Sequence, residues 1–223
     1  MTKQFCIHHC PGSGGMFLLH LFAKFLNLNS QYTLDVKHGD YHNSGDGDWQ
    51  NNNPKISWIG ANWEHTYFPS NEFILFYTHR HEYIYKLKKL HPDISIVAID
   101  CDQEDYKNIT KMYIKKAWPN LWTKKEYDRW VSTGCVFPPY SNDNLNDEVV
   151  YNMLHDQLNQ DTINWHQNLP KDTDYIIKFK TLFGLDNNSI ENIIEKIIGK
   201  SSDLTISKII NDYQTINQQL YFK

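Results

Sequence analysis

The chain has 223 residues, with 26 acidic against 22 basic side chains and a net charge of −4. That length suits a single α/β domain with a substantial core. The negative balance offers no general attraction to nucleic acid, and no apolar run approaches the roughly 18 residues of a membrane span, so neither is an expected partner.

Met1–Gln4 leads straight into an apolar run with no secretory leader, and the expected location is the cytoplasm. Cys6, Cys10, Cys101 and Cys135 lack paired C-x-x-C spacing and are expected to be reduced thiols. Phe5–His8 predicts a strand. It enters a loop of small residues, Pro11-Gly12-Ser13-Gly14-Gly15, which opens into an apolar helical stretch ending near Asn27. Strand, glycine loop and helix in that order suit an anion. The first-turn N–H groups have no intrahelical partner, and the helix dipole favours negative charge there. Glycine reaches positive φ without strain.

Residues 28–55 are rich in Asn, Gly, Asp and His and predict an irregular insertion, a lid or binding loop. Ile56–Ile59 predicts a short strand, and Phe73–Tyr77 a strand buried on both faces. Glu82–Leu90 reads as a helix broken at Pro92-Asp93, Ile94–Ile99 as the next strand, and Asp102–Ala117 as a helix stopped before Pro119. Residues 121–170 are expected to be mainly helical, interrupted at Pro138-Pro139. Tyr175–Phe179 is the last predicted strand. Helices follow over Ser189–Ile198 and Leu204–Leu220, the second capped by Asp203 or Ser202. Strands alternating with helices imply a three-layer α/β sandwich around a central parallel sheet, one domain over residues 1–223.

The glycine loop is not a Walker A loop, because Gly14-Gly15 is followed by Met16-Phe17 where Lys and Ser or Thr are required. It is not a dinucleotide fingerprint either, since Phe17 stands where the third glycine belongs. A shorter form, Pro-x-Ser-Gly-x-x, fits Pro11, Gly12, Ser13, Gly14, Gly15 and Met16, which are the candidate phosphate-binding residues. A plain tight turn is the alternative. Cys10 is open to two readings, a reactive thiol at a helix N-terminus or a small buried side chain. His38, Asp40, His42, Asp46 and Asp48, with His79 and His81, are groups of the kind that hold divalent ions. No third local ligand completes a set, and no residue is assigned to a metal.

In this loop, and in Tyr77-Thr78-His79 at the end of an apolar strand, the chain resembles the sulfotransferase family. Ile94–Ile99 follows at the right distance, and Lys178-Phe179-Lys180-Thr181-Leu182-Phe183 with the Ile-rich helix after it echoes the family's tail. The resemblance implies a P-loop nucleoside-triphosphate-hydrolase-like fold. It implies transfer of a sulfuryl group from 3′-phosphoadenosine 5′-phosphosulfate (PAPS), the co-substrate, to a small hydroxyl or amine acceptor. The loop residues 11–16 would cradle the phosphosulfate and His79 would be the general base. Trp49, Trp58, Trp63 and Tyr67 are candidates to line an acceptor pocket.

Four positions depart from the family pattern. Gly12 replaces the loop lysine and Tyr77 the lysine before the strand-end histidine. Asp100 stands where an arginine binds the donor's 3′-phosphate, and Asn108 stands near the accompanying serine. Arg80, Lys107 and Lys111 are the basic groups a distant member would recruit instead. Two further expectations therefore stand beside transfer: a non-catalytic relative that binds a nucleotide or phosphate, and a His/Asp metal-dependent hydrolase.

Overall fold

The computed structural model describes residues 3–10, 12–28, 32–35, 40–43, 56–59, 74–110, 112, 124, 128, 131–132 and 148–222. In chain order it contains β1 (Phe5–His8), α1 (Gly15–Phe25), β2 (Tyr32–Asp35), β3 (Asp40–Asn43), β4 (Ile56–Trp58), β5 (Leu75–Thr78) and α2 (His81–Leu90). Then come β6 (Ser95–Asp100), a 3-10 turn (Gln103–Asp105) running into helix at 106–110, α3 (Glu148–Gln167), β7 (Tyr175–Lys178), α4 (Phe179–Leu182), α5 (Ile190–Ile198) and α6 (Leu204–Tyr221).

Five strands form one sheet in the order β4-β5-β1-β6-β7, and every neighbouring pair is parallel. Alternation along each strand divides the core in two. Phe5, Ile7, Leu75, Tyr77, Val97, Ile99 and Ile177 face α1, α5 and α6. Cys6, Phe76 and Ile96 face Tyr83, Ile84 and Leu87 of α2. Helices on both faces explain the continuous apolar runs of β1, β5 and β6, which are buried on both faces, whereas the edge strand β7 exposes Ile176. The predicted α/β sandwich with a parallel sheet is what the chain forms.

The hydrophobic pattern placed the sheet strands to within a residue or two. β5 starts at Leu75 and ends at Thr78, and β7 stops at Lys178 because Phe179 already opens α4. The irregular reading of 28–55 needs correction: Tyr32–Asp35 and Asp40–Asn43 pair as an antiparallel hairpin, in register Tyr32 with Asn43. Backbone pairing needs no apolar side chains, and so a polar segment hides it. Of the helix predicted over Asp102–Ala117, the first turn is 3-10. Asp203 rather than Ser202 caps α6, its Oδ1 accepting the Ile206 N–H at 3.0 Å. Pro11, His38, Asp46, Asp48, Trp49, Trp63, Tyr67, Lys111, residues 113–117, Cys135 and Pro138-Pro139 lie outside the described residues.

The chain leaves β1 towards β4 and leaves β6 towards β7, so the connections diverge between these two neighbours. In open parallel sheets that divergence opens a crevice at the carboxyl ends of the strands. The glycine loop follows β1 there, and Asp100 ends β6 there.

Candidate functional site

Gly12 and Gly14 both have positive φ, +85° and +84°. Between them Ser13 is fully buried. Its N–H and its Oγ both donate to the Cys10 carbonyl, at 3.1 and 2.7 Å. This closes a tight turn and hands the chain to α1, whose first hydrogen bond runs from the Leu18 N–H to the Gly14 carbonyl at 3.1 Å. Met16 is half-buried against the core. Cys10 is also buried, and burial pushes its thiol up to about 12, so the neutral thiol of a packed side chain is the reading that holds.

Gly15 has its own reason. The His9 ring lies against it so closely that a Cβ on Gly15 would stand 2.0 Å from the His9 Cγ. His9 is buried, with its Nδ1–H donating to the Cys10 carbonyl at 3.2 Å. That assigns the lone pair to Nε2, which is buried without a hydrogen-bond partner. Burial and the neighbouring His79 both lower the pKa of His9.

The structure brings His79 to this loop. It follows β5 directly, and the parallel register sets His8 opposite Thr78. Its Nδ1–H donates to the His9 carbonyl at 2.9 Å, and the two rings meet edge to face with centroids 4.2 Å apart. Burial lowers the His79 pKa, more than the bond to the carbonyl raises it, and the imidazole is neutral at pH 7. His81 spends its Nδ1 on His8 Nε2 at 2.8 Å and its Nε2 on the Trp165 carbonyl at 3.0 Å. Both of its ring nitrogens are thus engaged by protein groups, and the His79–His81 half of the candidate metal set is not assembled.

The end of β6 is acidic. Asp100 Oδ2 accepts from Lys178 Nζ at 2.7 Å, and Oδ1 accepts from His166 Nδ1 at 3.2 Å. Burial pushes this carboxyl up, but those two hydrogen bonds prevail and hold it at about 2. Asp102, Glu104 and Asp105 bring carboxylate oxygens within 4.8 Å of one another, and Lys180 pairs with all three. The end of β6 therefore presents held negative charge, with Asp100 at the position where the resemblance implies an arginine.

Three participants carry no sequence signal. His9 looks like a strand-end histidine until its ring is seen on Gly15. Trp165 and His166 sit in α3, and only the closed fold sets them over the sheet: the Trp165 Nε1–H donates to the His79 carbonyl at 2.9 Å. No described helix is long and apolar enough to cross a membrane. No protein-family model matches the chain, and a search of curated proteins finds no match.

Proposed function

We propose that the chain binds the phosphosulfate end of a small donor at Gly12, Ser13, Gly14, Gly15 and Met16, and that His79 takes the proton of a hydroxyl or amine acceptor as the acceptor bonds to sulfur and the S–O bond to the donor's phosphate breaks, the phosphate leaving in the loop. One observation carries this reading: His79 donates to the His9 carbonyl while the His9 ring packs on Gly15, which joins the base to the loop. The bond at Nδ1 assigns the His79 lone pair to Nε2, and the lowered pKa keeps it neutral, as a general base requires. The acidic end of β6 favours a donor without a 3′-phosphate.

Thermal unfolding with adenosine 5′-phosphate, with 3′-phosphoadenosine 5′-phosphate, with ATP and Mg²⁺, and with inorganic sulfate tests the reading. A ligand at a hundredfold over its Kd adds about 2.7 kcal/mol of stability. Adenosine 5′-phosphate or sulfate should stabilise, and the 3′-phosphate should add nothing. Silence from every anion sinks the loop assignment. His79→Ala should leave binding intact and remove transfer.

Asp100 favours a second reading. Its carboxylate is committed to Lys178 and His166 where the donor's phosphate would need a cation, and Gly12 supplies no loop lysine. A relative that binds phosphate without catalysis would have this arrangement. Anion binding with no transfer to any hydroxyl or amine acceptor is its signature.

A further inference from the structure

The start of α1 holds a buried nitrogen that the fold leaves unused. His9 is 3 % exposed, and its ring covers Gly15, the first residue of the helix. The ring's Nδ1–H donates to the Cys10 carbonyl at 3.2 Å. Its Nε2 lone pair is buried without a hydrogen-bond partner. A buried acceptor left without a donor is costly and uncommon in folded proteins.

The backbone beside it favours negative charge. Gly14, as the cap, makes no side-chain hydrogen bond to the helix, and the first turn of α1 carries no acidic residue. The positive end of the helix dipole is therefore not compensated from within the helix.

An anion drawn to this point meets a mismatch. Against neutral His9 it faces the Nε2 lone pair, which repels it. Moving the single ring proton to Nε2 relieves that contact but turns a bare Nδ1 towards the Cys10 carbonyl, lone pair against lone pair. Only the doubly protonated ring donates to the carbonyl and to the anion at once. The second proton also places a positive charge beside the loop, where Gly12 supplies none.

Among the described residues, the titratable groups that face the ring are His79, after β5, and His8 on β1. Asp161 of α3 acts on Cys10 rather than on His9. No described carboxylate thus holds a second proton on His9 before a ligand arrives. Burial and His79 both lower its pKa, in keeping with a neutral ring in the empty loop.

We propose that His9 is the cation of the anion site: neutral in the empty loop, it takes up one proton from solvent as a phosphate or sulfate group binds, and donates from Nε2 to a ligand oxygen while Nδ1 stays on Cys10. This role rests on the anion-binding reading of the loop. In transfer the same imidazolium offsets the charge that builds on the departing phosphate.

Inorganic sulfate is the probe, because it does not titrate near neutral pH. Calorimetric titration of the full chain in buffers of different ionisation enthalpy counts the protons taken up per sulfate. Near neutral pH the uptake should exceed about half a proton, and affinity should fall as pH rises, by up to about tenfold per unit. His9→Asn sets an amide N–H near the place of Nδ1 and cannot titrate. It should bind sulfate more weakly, without proton uptake and with a flatter pH dependence. In the unsubstituted protein the ring nitrogen chemical shifts of His9 should change from one protonated nitrogen to two on adding sulfate. That readout decides the matter even where His9→Asn fails to fold.

Sulfate bound without proton uptake overturns the role of His9 and leaves the loop reading standing. So does uptake undiminished in His9→Asn, or a proton that appears on the His79 ring instead. Failure of sulfate to bind at any pH overturns the loop reading, and the role of His9 with it.

Discussion

The His9 imidazole lies over the α-carbon of Gly15, leaving 2.0 Å between its Cγ and any Cβ built there. Gly15 is thus required by space rather than by backbone conformation. Gly15→Ala forces a buried ring to move and disturbs the carbonyl that receives His79. The expected cost is about 2–3 kcal/mol in urea unfolding, in the range of overpacked cores. A cost below about 0.5 kcal/mol, the scale of ordinary surface changes, means that His9 is held loosely.

Gly14 is constrained twice. Its φ is +84°, and a Cβ would stand 2.8 Å from Leu182 Cδ2 and 2.9 Å from Tyr213 Oη. Gly14→Ala should cost about 1–2 kcal/mol for the left-handed backbone, with a packing penalty added. Gly14→Asp puts a like charge into the loop as well and should abolish stabilisation by sulfate. A Gly14→Asp protein that stays folded and still binds sulfate moves the anion site elsewhere.

Asp203 is a clean test of a helix cap, because its Oδ1 accepts the Ile206 N–H at the exposed start of α6. Asp203→Ala should lower stability by about 1 kcal/mol, and Asp203→Asn should be nearly neutral. A calorimetric Tm series on the two variants decides it.

Stability should fall in two stages as pH drops. His8 is lowered from 6.5 to about 3, first by burial and then by its neighbour His81. Its contribution is complete above pH 6.5 and is lost as pH falls towards about 3. Asp100 is lowered from 3.8 to about 2, so its contribution is present above pH 3.8 and disappears as pH falls towards about 2. Urea midpoints measured from pH 8 downwards should be level to about 6.5 and then decline. Asp100→Asn should flatten the lowest stage alone. A midpoint that rises on acidification from pH 7 would contradict the buried neutral imidazoles.

Much of the scaffold was legible because its signals are local. Continuous apolar runs such as Leu75–Tyr77 and Ile96–Ile99 announce strands covered on both faces. Asp203 marks the start of α6, where its cap is found. The hairpin of Tyr32–Asp35 and Asp40–Asn43 was not legible, since its strands pair through backbone groups in a polar segment. The loop at Gly12–Gly15 was legible as a glycine-rich turn, but not the reasons for each glycine.

The sequence by itself therefore determined the strand-loop-helix unit, the α/β class and His79 at a strand end. Each depends on neighbours within a few residues and on the periods of strand and helix. The tertiary structure decided what surrounds them. Parallel pairing of β1 with β5 carries His79 to the carbonyl of His9, 70 residues away, and closure of α3 carries His166 to Asp100, 66 residues away. No local pattern encodes such contacts, because they form only when packing of the two core faces sets the strands in register.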